Sequence, residues 1–138
     1  MKKMALVVTV ILTALSAAAT NSCASGWKEV SRDEVSILYY NSERIEASGT
    51  NRIFFTKTEW ATSSILFVKG EYFISKNEVN CSKRTIRLLE RQYFDANGVP
   101  GTKETIHDLA ILEASAFREE KIDDGTLFWF NLVCEKQK

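Results

Sequence analysis

Residues 81–94, which read Cys-Ser-Lys-Arg-Thr-Ile-Arg-Leu-Leu-Glu-Arg-Gln-Tyr-Phe, constrain the fold more than any other stretch of this chain. Ile86, Leu88 and Phe94 fall on even positions and Lys83, Arg87 and Arg91 on odd ones. A period of two belongs to a strand with one buried face and one wet face, here a basic one. Asp95-Ala96-Asn97-Gly98-Val99-Pro100-Gly101 follows, with Asn-Gly and Pro-Gly both turn pairs, so the chain must reverse. A lone hairpin is marginal in water, so this strand requires further strands beside it.

The preceding residues supply them. Trp27-Lys28-Glu29-Val30 and Val35 to Tyr40 flank Arg32-Asp33-Glu34, a connection suited to a hairpin. Asn41 to Ile45 leads into the turn-like Ser48-Gly49-Thr50-Asn51, and Arg52 to Trp60 is β-branched and aromatic. Two further strand stretches, Ile65 to Lys69 and Glu71 to Ser75, are parted by Gly70, which predicts a bulge or tight bend. Lys103 to Ile106 reads as a short returning strand. Leu109, Leu112 and Ala116 fit helical spacing over a short run, and Glu113 to Gly125 has no clear pattern. Residues 127–136 carry opposed signals. Asp123 and Asp124 before the run and Lys136 and Lys138 near its end suit a helix dipole, while Phe128-Trp129-Phe130 and Val133 prefer strands. The residues leave both readings open.

The first 24 residues read as an export signal. Lys2 and Lys3 precede an apolar stretch from Met4 to Leu12, followed by small residues. A membrane span needs roughly 20 strongly apolar residues, and the last third here is only Ala, Ser and Thr. Cleavage after Ala24 removes Cys23, cleavage after Ala19 retains it, and lipidation would make Cys23 the new N-terminus. Only that last outcome implies a membrane attachment. Residues 25–138 then form a single domain, with 16 basic against 18 acidic residues and a net charge of −2. Such a balanced surface gives no electrostatic case for nucleic acid.

Catalytic signals are sparse. Nucleophilic catalysis needs a base beside the nucleophile, and the one histidine, His107, lies in a weakly patterned segment and reads as a rim residue. No Gly-x-Ser-x-Gly and no phosphate-cradling glycine loop occurs. Glu119, Glu120, Asp123 and Asp124 cluster, but not at calcium-loop spacing, and read as a solvated loop with a helix N-cap. The chain therefore reads as a non-enzyme, with no cofactor and no metal. Lys83, Arg87 and Arg91 form a candidate binding stripe for an acidic patch or acidic glycan; the alternative is a wet face paired with acids on neighbouring strands. In Leu127-Phe128-Trp129-Phe130, four large apolar residues cannot all face one side of a helix, so one of them is a candidate for exposure or for burial in a dimer.

In their order, several of these segments resemble the surface-adhesin protein E-like family of small exported bacterial proteins. The likeness begins at Gly26-Trp27-Lys28-Glu29-Val30 and runs through Tyr40-Asn41, Ile45 and Arg52-Ile53-Phe54-Phe55 to Trp60. Its most specific part is Ser75 to Cys81 with Lys83-Arg84-Thr85-Ile86-Arg87-Leu88-Leu89 and Tyr93. Phe117, Ile122, Gly125-Thr126 and the apolar run to Cys134 extend it, so it covers about residues 26–135. Asn41 stands where the family usually has Asp, and residues 107–116 lack the proline-rich character common there.

The resemblance implies an α+β fold. About six antiparallel strands form a sheet, with a C-terminal α-helix packed on one face and tied to it by a disulfide. Here that bridge would be Cys81 to Cys134, and an oxidising compartment would preserve it. The implied function is non-enzymatic binding of protein partners, host matrix or plasma proteins among them, from the periplasm or the cell surface, with a homodimer compatible. The alternative is a periplasmic accessory or inhibitor domain acting on another protein.

Overall fold

A computed structural model describes residues 26–105, 120–121 and 127–135. Eight antiparallel strands form one sheet among them: β1 (Trp27–Arg32), β2 (Ser36–Asn41), β3 (Glu46–Ser48), β4 (Asn51–Trp60), β5 (Tyr72–Asn80), β6 (Thr85–Phe94), β7 (Pro100–Thr105) and β8 (Glu120–Lys121). Six of them form the main path, the strand number that the resemblance implies, in the order β1-β2-β4-β5-β6-β7. The two short ones lie off this path, β3 on β4 and β8 on β6. A C-terminal helix completes the described fold, α-helical over Leu127–Phe130 and π-helical over Asn131–Glu135.

Local chemistry explains most strand boundaries. The Asp33 carboxylate accepts the amides of Val35 and Ser36, which closes the β1–β2 hairpin. These two bonds hold the Asp33 pKa below its ordinary value. Asn41, buried at the end of β2, accepts the Glu43 and Arg44 amides through Oδ1 and turns the chain toward β3. An aspartate carboxylate would accept the same two bonds, so the turn needs only a short side-chain oxygen here.

Two strand assignments change. Ile65 to Lys69 is no strand but part of the loop between β4 and β5. Its amides bond to its own side chains, Leu66 to Ser64, Lys69 to Ser63 and Val68 to Glu71, so the loop needs no partner strand. Gly70 forms the predicted bend there with φ 88°, a left-handed backbone that glycine adopts freely. Residues 81–84 are likewise a turn, and β6 begins only at Thr85. Residues 106–119 and 122–126 lie outside the described residues. With them lie His107, the segment from Leu109 to Ala116, Glu119, Asp123 and Asp124; of Glu120 only its backbone place in β8 is described.

The core sits between one face of the sheet and the helix. Phe54 and Val79 from the sheet meet Phe130, Leu132 and Val133 from the helix, all buried. Trp129 stacks on Phe54 with ring centroids 5.5 Å apart. Packing thus overrides the strand propensity of Phe128-Trp129-Phe130. Phe128 is the exposed member of that block, its ring edge-to-face with Trp129 at 5.1 Å between centroids. Cys81 and Cys134 form the disulfide, with Cα atoms 5.8 Å apart.

The bridge closes a loop between residues 53 apart in sequence. Replacing both cysteines by alanine should cost about 4 kcal/mol of stability, through the entropy the longer unfolded chain regains. Urea denaturation of the oxidised protein against the Cys81→Ala, Cys134→Ala variant measures it. The Asp33 turn should respond to acid. Its lowered pKa contributes stability above the carboxylate's unfolded value and loses it as pH falls through the folded value. The Val35 and Ser36 amide resonances should therefore titrate together below the usual carboxylate range, and the Asp33→Asn variant should show no such transition.

Candidate functional site

The register of β5 and β6 decides where the basic residues go. Val79 pairs with Ile86 and Asn77 with Leu88, but Lys76 then pairs with Glu90, so Leu89 is the extra residue of a bulge. Every side chain after Leu89 changes face, because a one-residue slip reverses a period of two. Arg87 stays on the face away from the helix, where it bonds Glu78. Arg91 pairs with Ser75 and so shares the helix face with Val79 and Ile86. Lys83 is in the turn before β6.

The three predicted stripe residues therefore do not share one surface. Lys83 and Arg87 line a small polar hollow of about 180 Å³ with Glu78, Asn80 and Asn51. Arg91 lies elsewhere, its guanidinium 4.6 Å from the centre of the Phe73 ring. The sequence shows the alternation of charges but not the bulge, since nothing in Leu88-Leu89-Glu90 marks the slip.

Arg91 instead belongs to an open groove of about 990 Å³ at the end of the sheet where the β4–β5 and β6–β7 loops project. Rings form its walls. Trp60 ends β4 and stacks on Phe67 of the loop with centroids 4.0 Å apart, while Tyr72 starts β5 and stacks on Phe94 at the end of β6, 4.8 Å away. Tyr93 lies beside Phe73, accepts a long bond from Arg91 at 3.4 Å and donates its hydroxyl to Glu104 at 3.2 Å. Val99 and Leu66 supply exposed aliphatic rims from the two loops.

Both loops are internally braced. In the β6–β7 turn, Asp95 accepts the Asn97 and Val99 amides, and Gly98 takes φ 81°. In the β4–β5 loop, Gly70 N–H returns to the Trp60 carbonyl and Glu71 N–H to that of Val68. Ile65 and Leu66 are 100% and 85% exposed on this bonded frame. Sequence reasoning did not single out these ring residues. The available signal was the repeated placement of aromatics at strand ends beside turns: Trp60, Tyr72, Tyr93 and Phe94.

Among the described residues no three His, Cys, Asp or Glu side chains are grouped to hold a metal ion. No described helix is long and apolar enough to cross a membrane. A family model described as surface-adhesin protein E matches residues 27–126. The chain belongs to that family. Membership marks it as an adhesin-like surface protein. No curated protein and no solved structure gives a significant match.

The Arg91–Tyr93–Glu104 chain fixes how the groove presents its guanidinium. Tyr93→Phe removes one donor and one acceptor and should lower stability by about 1 kcal/mol. Urea denaturation of the variant against the unchanged protein checks this, with Glu104→Gln expected to cost less because its carboxamide still accepts from Tyr93.

Proposed function

We propose that this chain is an exported, non-enzymatic binding protein that recognises an extracellular partner through the aromatic groove. In this reading residues 1–24 are removed as a signal and residues 25–138 act outside the inner membrane. The observation that carries it is the family match over residues 27–126.

The geometry supports the same reading. Tryptophan, tyrosine and arginine dominate binding hot spots, because each buries a large rigid surface and keeps a polar handle. The groove gathers all three types in Trp60, Tyr72, Tyr93 and Arg91. Braced loops keep that surface formed before a partner arrives, which lowers the ordering cost of binding. Exposed Ile65 and Leu66 beside it form an apolar rim suited to a contact surface.

Surface display is the first requirement. Protease shaving of intact cells should release fragments of residues 25–138, and purified protein should bind immobilised extracellular proteins. Full protection from protease, with binding confined to periplasmic proteins, would replace this reading with the accessory-domain alternative.

A further inference from the structure

The two loops that frame the groove leave hydrogen-bonding capacity unused. Glu71 accepts the Val68 amide through Oε2, and Asp95 accepts the Asn97 and Val99 amides through Oδ1. Among the described residues, no bond engages Glu71 Oε1 or Asp95 Oδ2. Arg91 supplies the opposite capacity. Among the described residues its one hydrogen bond is the long Nη1 contact to Tyr93, and its buried Nε, like that of Arg52, has no partner there. Arg32, Lys57, Arg87 and Lys103 in the sheet are matched to carboxylates, Glu29, Glu59, Glu78 and Glu90 in turn. Arg91 has no such ion pair among the described residues.

The signs of these charges select the ligand. An anion drawn to Arg91 would meet Glu71 and Asp95, and a cation drawn to the carboxylates would meet Arg91. A neutral ligand whose groups both donate and accept satisfies all three. Hydroxyls do this: each donates one hydrogen and accepts through its lone pairs. On the face of the sheet that carries Arg91, the stacked rings of Trp60 and Phe67 line the groove and suit a flat apolar C–H face.

Alternating hydroxyls and C–H faces describe a sugar ring. A proline-rich segment would also lie against aromatic walls, but its backbone carbonyls only accept, so Glu71 and Asp95 would stay unanswered. The size fits as well. Small-ligand sites span roughly 300–1,000 Å³, and this groove, at about 990 Å³, has room for several linked rings.

We propose that the groove binds a neutral oligosaccharide, with Arg91 donating to its hydroxyls, Glu71 and Asp95 accepting from them, and the Trp60 and Phe67 rings supporting its C–H faces. This rests on the reading of the groove as the protein's binding surface and specifies its ligand class.

An immobilised array of short neutral oligosaccharides, with sialylated and sulfated counterparts, tests it on the purified oxidised protein. Saturable capture of neutral members is expected. Glu71→Gln should weaken that capture about tenfold, since the carboxamide oxygen still accepts from Val68 while the spare acceptor becomes a donor. Phe67→Ala should weaken it to a similar degree by removing a ring face, and retained far-ultraviolet circular dichroism verifies the fold. An array with no captured member, capture of charged members alone, or neutral binding unchanged in Glu71→Gln would overturn the proposal. Binding of extracellular proteins or proline-rich peptides with a silent array would also overturn it, while leaving recognition through this surface intact.

Discussion

The seam between the C-terminal helix and the sheet is the constraint on which the rest depends. Phe54, Val79, Phe130, Leu132 and Val133 are the buried cluster of a sheet that otherwise has few fully buried side chains. A single sheet must cover one face to bury enough apolar surface, and the helix supplies that cover. The disulfide fixes the helix at the turn where β5 becomes β6. Arg84 reinforces the same place. It takes the left-handed φ of 55° in that turn and sets its guanidinium 4.5 Å from the Phe130 ring centre.

Stability is concentrated at one end of the sheet, and the proposed recognition surface takes the other. The helix, bridge and Val79 gather near the β5–β6 turn, while the aromatic groove opens at the opposite ends of the same strands. Long antiparallel strands connect the two regions, so side chains at the groove are held by a frame that binding need not disturb. The loops there are braced by their own serine, aspartate and glutamate side chains rather than by the core. A recognition surface built this way can vary in its ring and rim residues without touching the seam.

Much of the architecture was legible in the residues. Alternation and turn chemistry marked β1, β2, β4, β6 and the reversal after Phe94, because each of those signals acts over only a few residues, although Pro100 and Gly101 of the expected turn already belong to β7. The region after Gly70 was less legible. Apolar Ile65, Leu66 and Val68 resemble strand residues in composition, yet their amides close on Ser63, Ser64 and Glu71, which a hydrophobic pattern does not reveal. The helix was undecided by propensity, and the family resemblance pointed to what packing then enforced. The basic stripe parted at a single residue, Leu89: Arg87 before the bulge stays with Glu78, while Arg91 after it turns to Phe73.

By itself the sequence determined the antiparallel strands, the hairpin turns, the charge balance and, through its family likeness, the bridge from Cys81 to Cys134. The strands and turns follow from local backbone preference and period-two patterning, whereas the bridge, between residues 53 apart, came from the likeness alone. Only the tertiary structure decided which face each β6 side chain occupies and which aromatic residues share a groove. The physical reason is that register is a property of paired strands. One extra residue shifts every later side chain to the other face, and Trp60, Phe67, Tyr72, Arg91 and Phe94 meet only when strands distant in sequence end side by side.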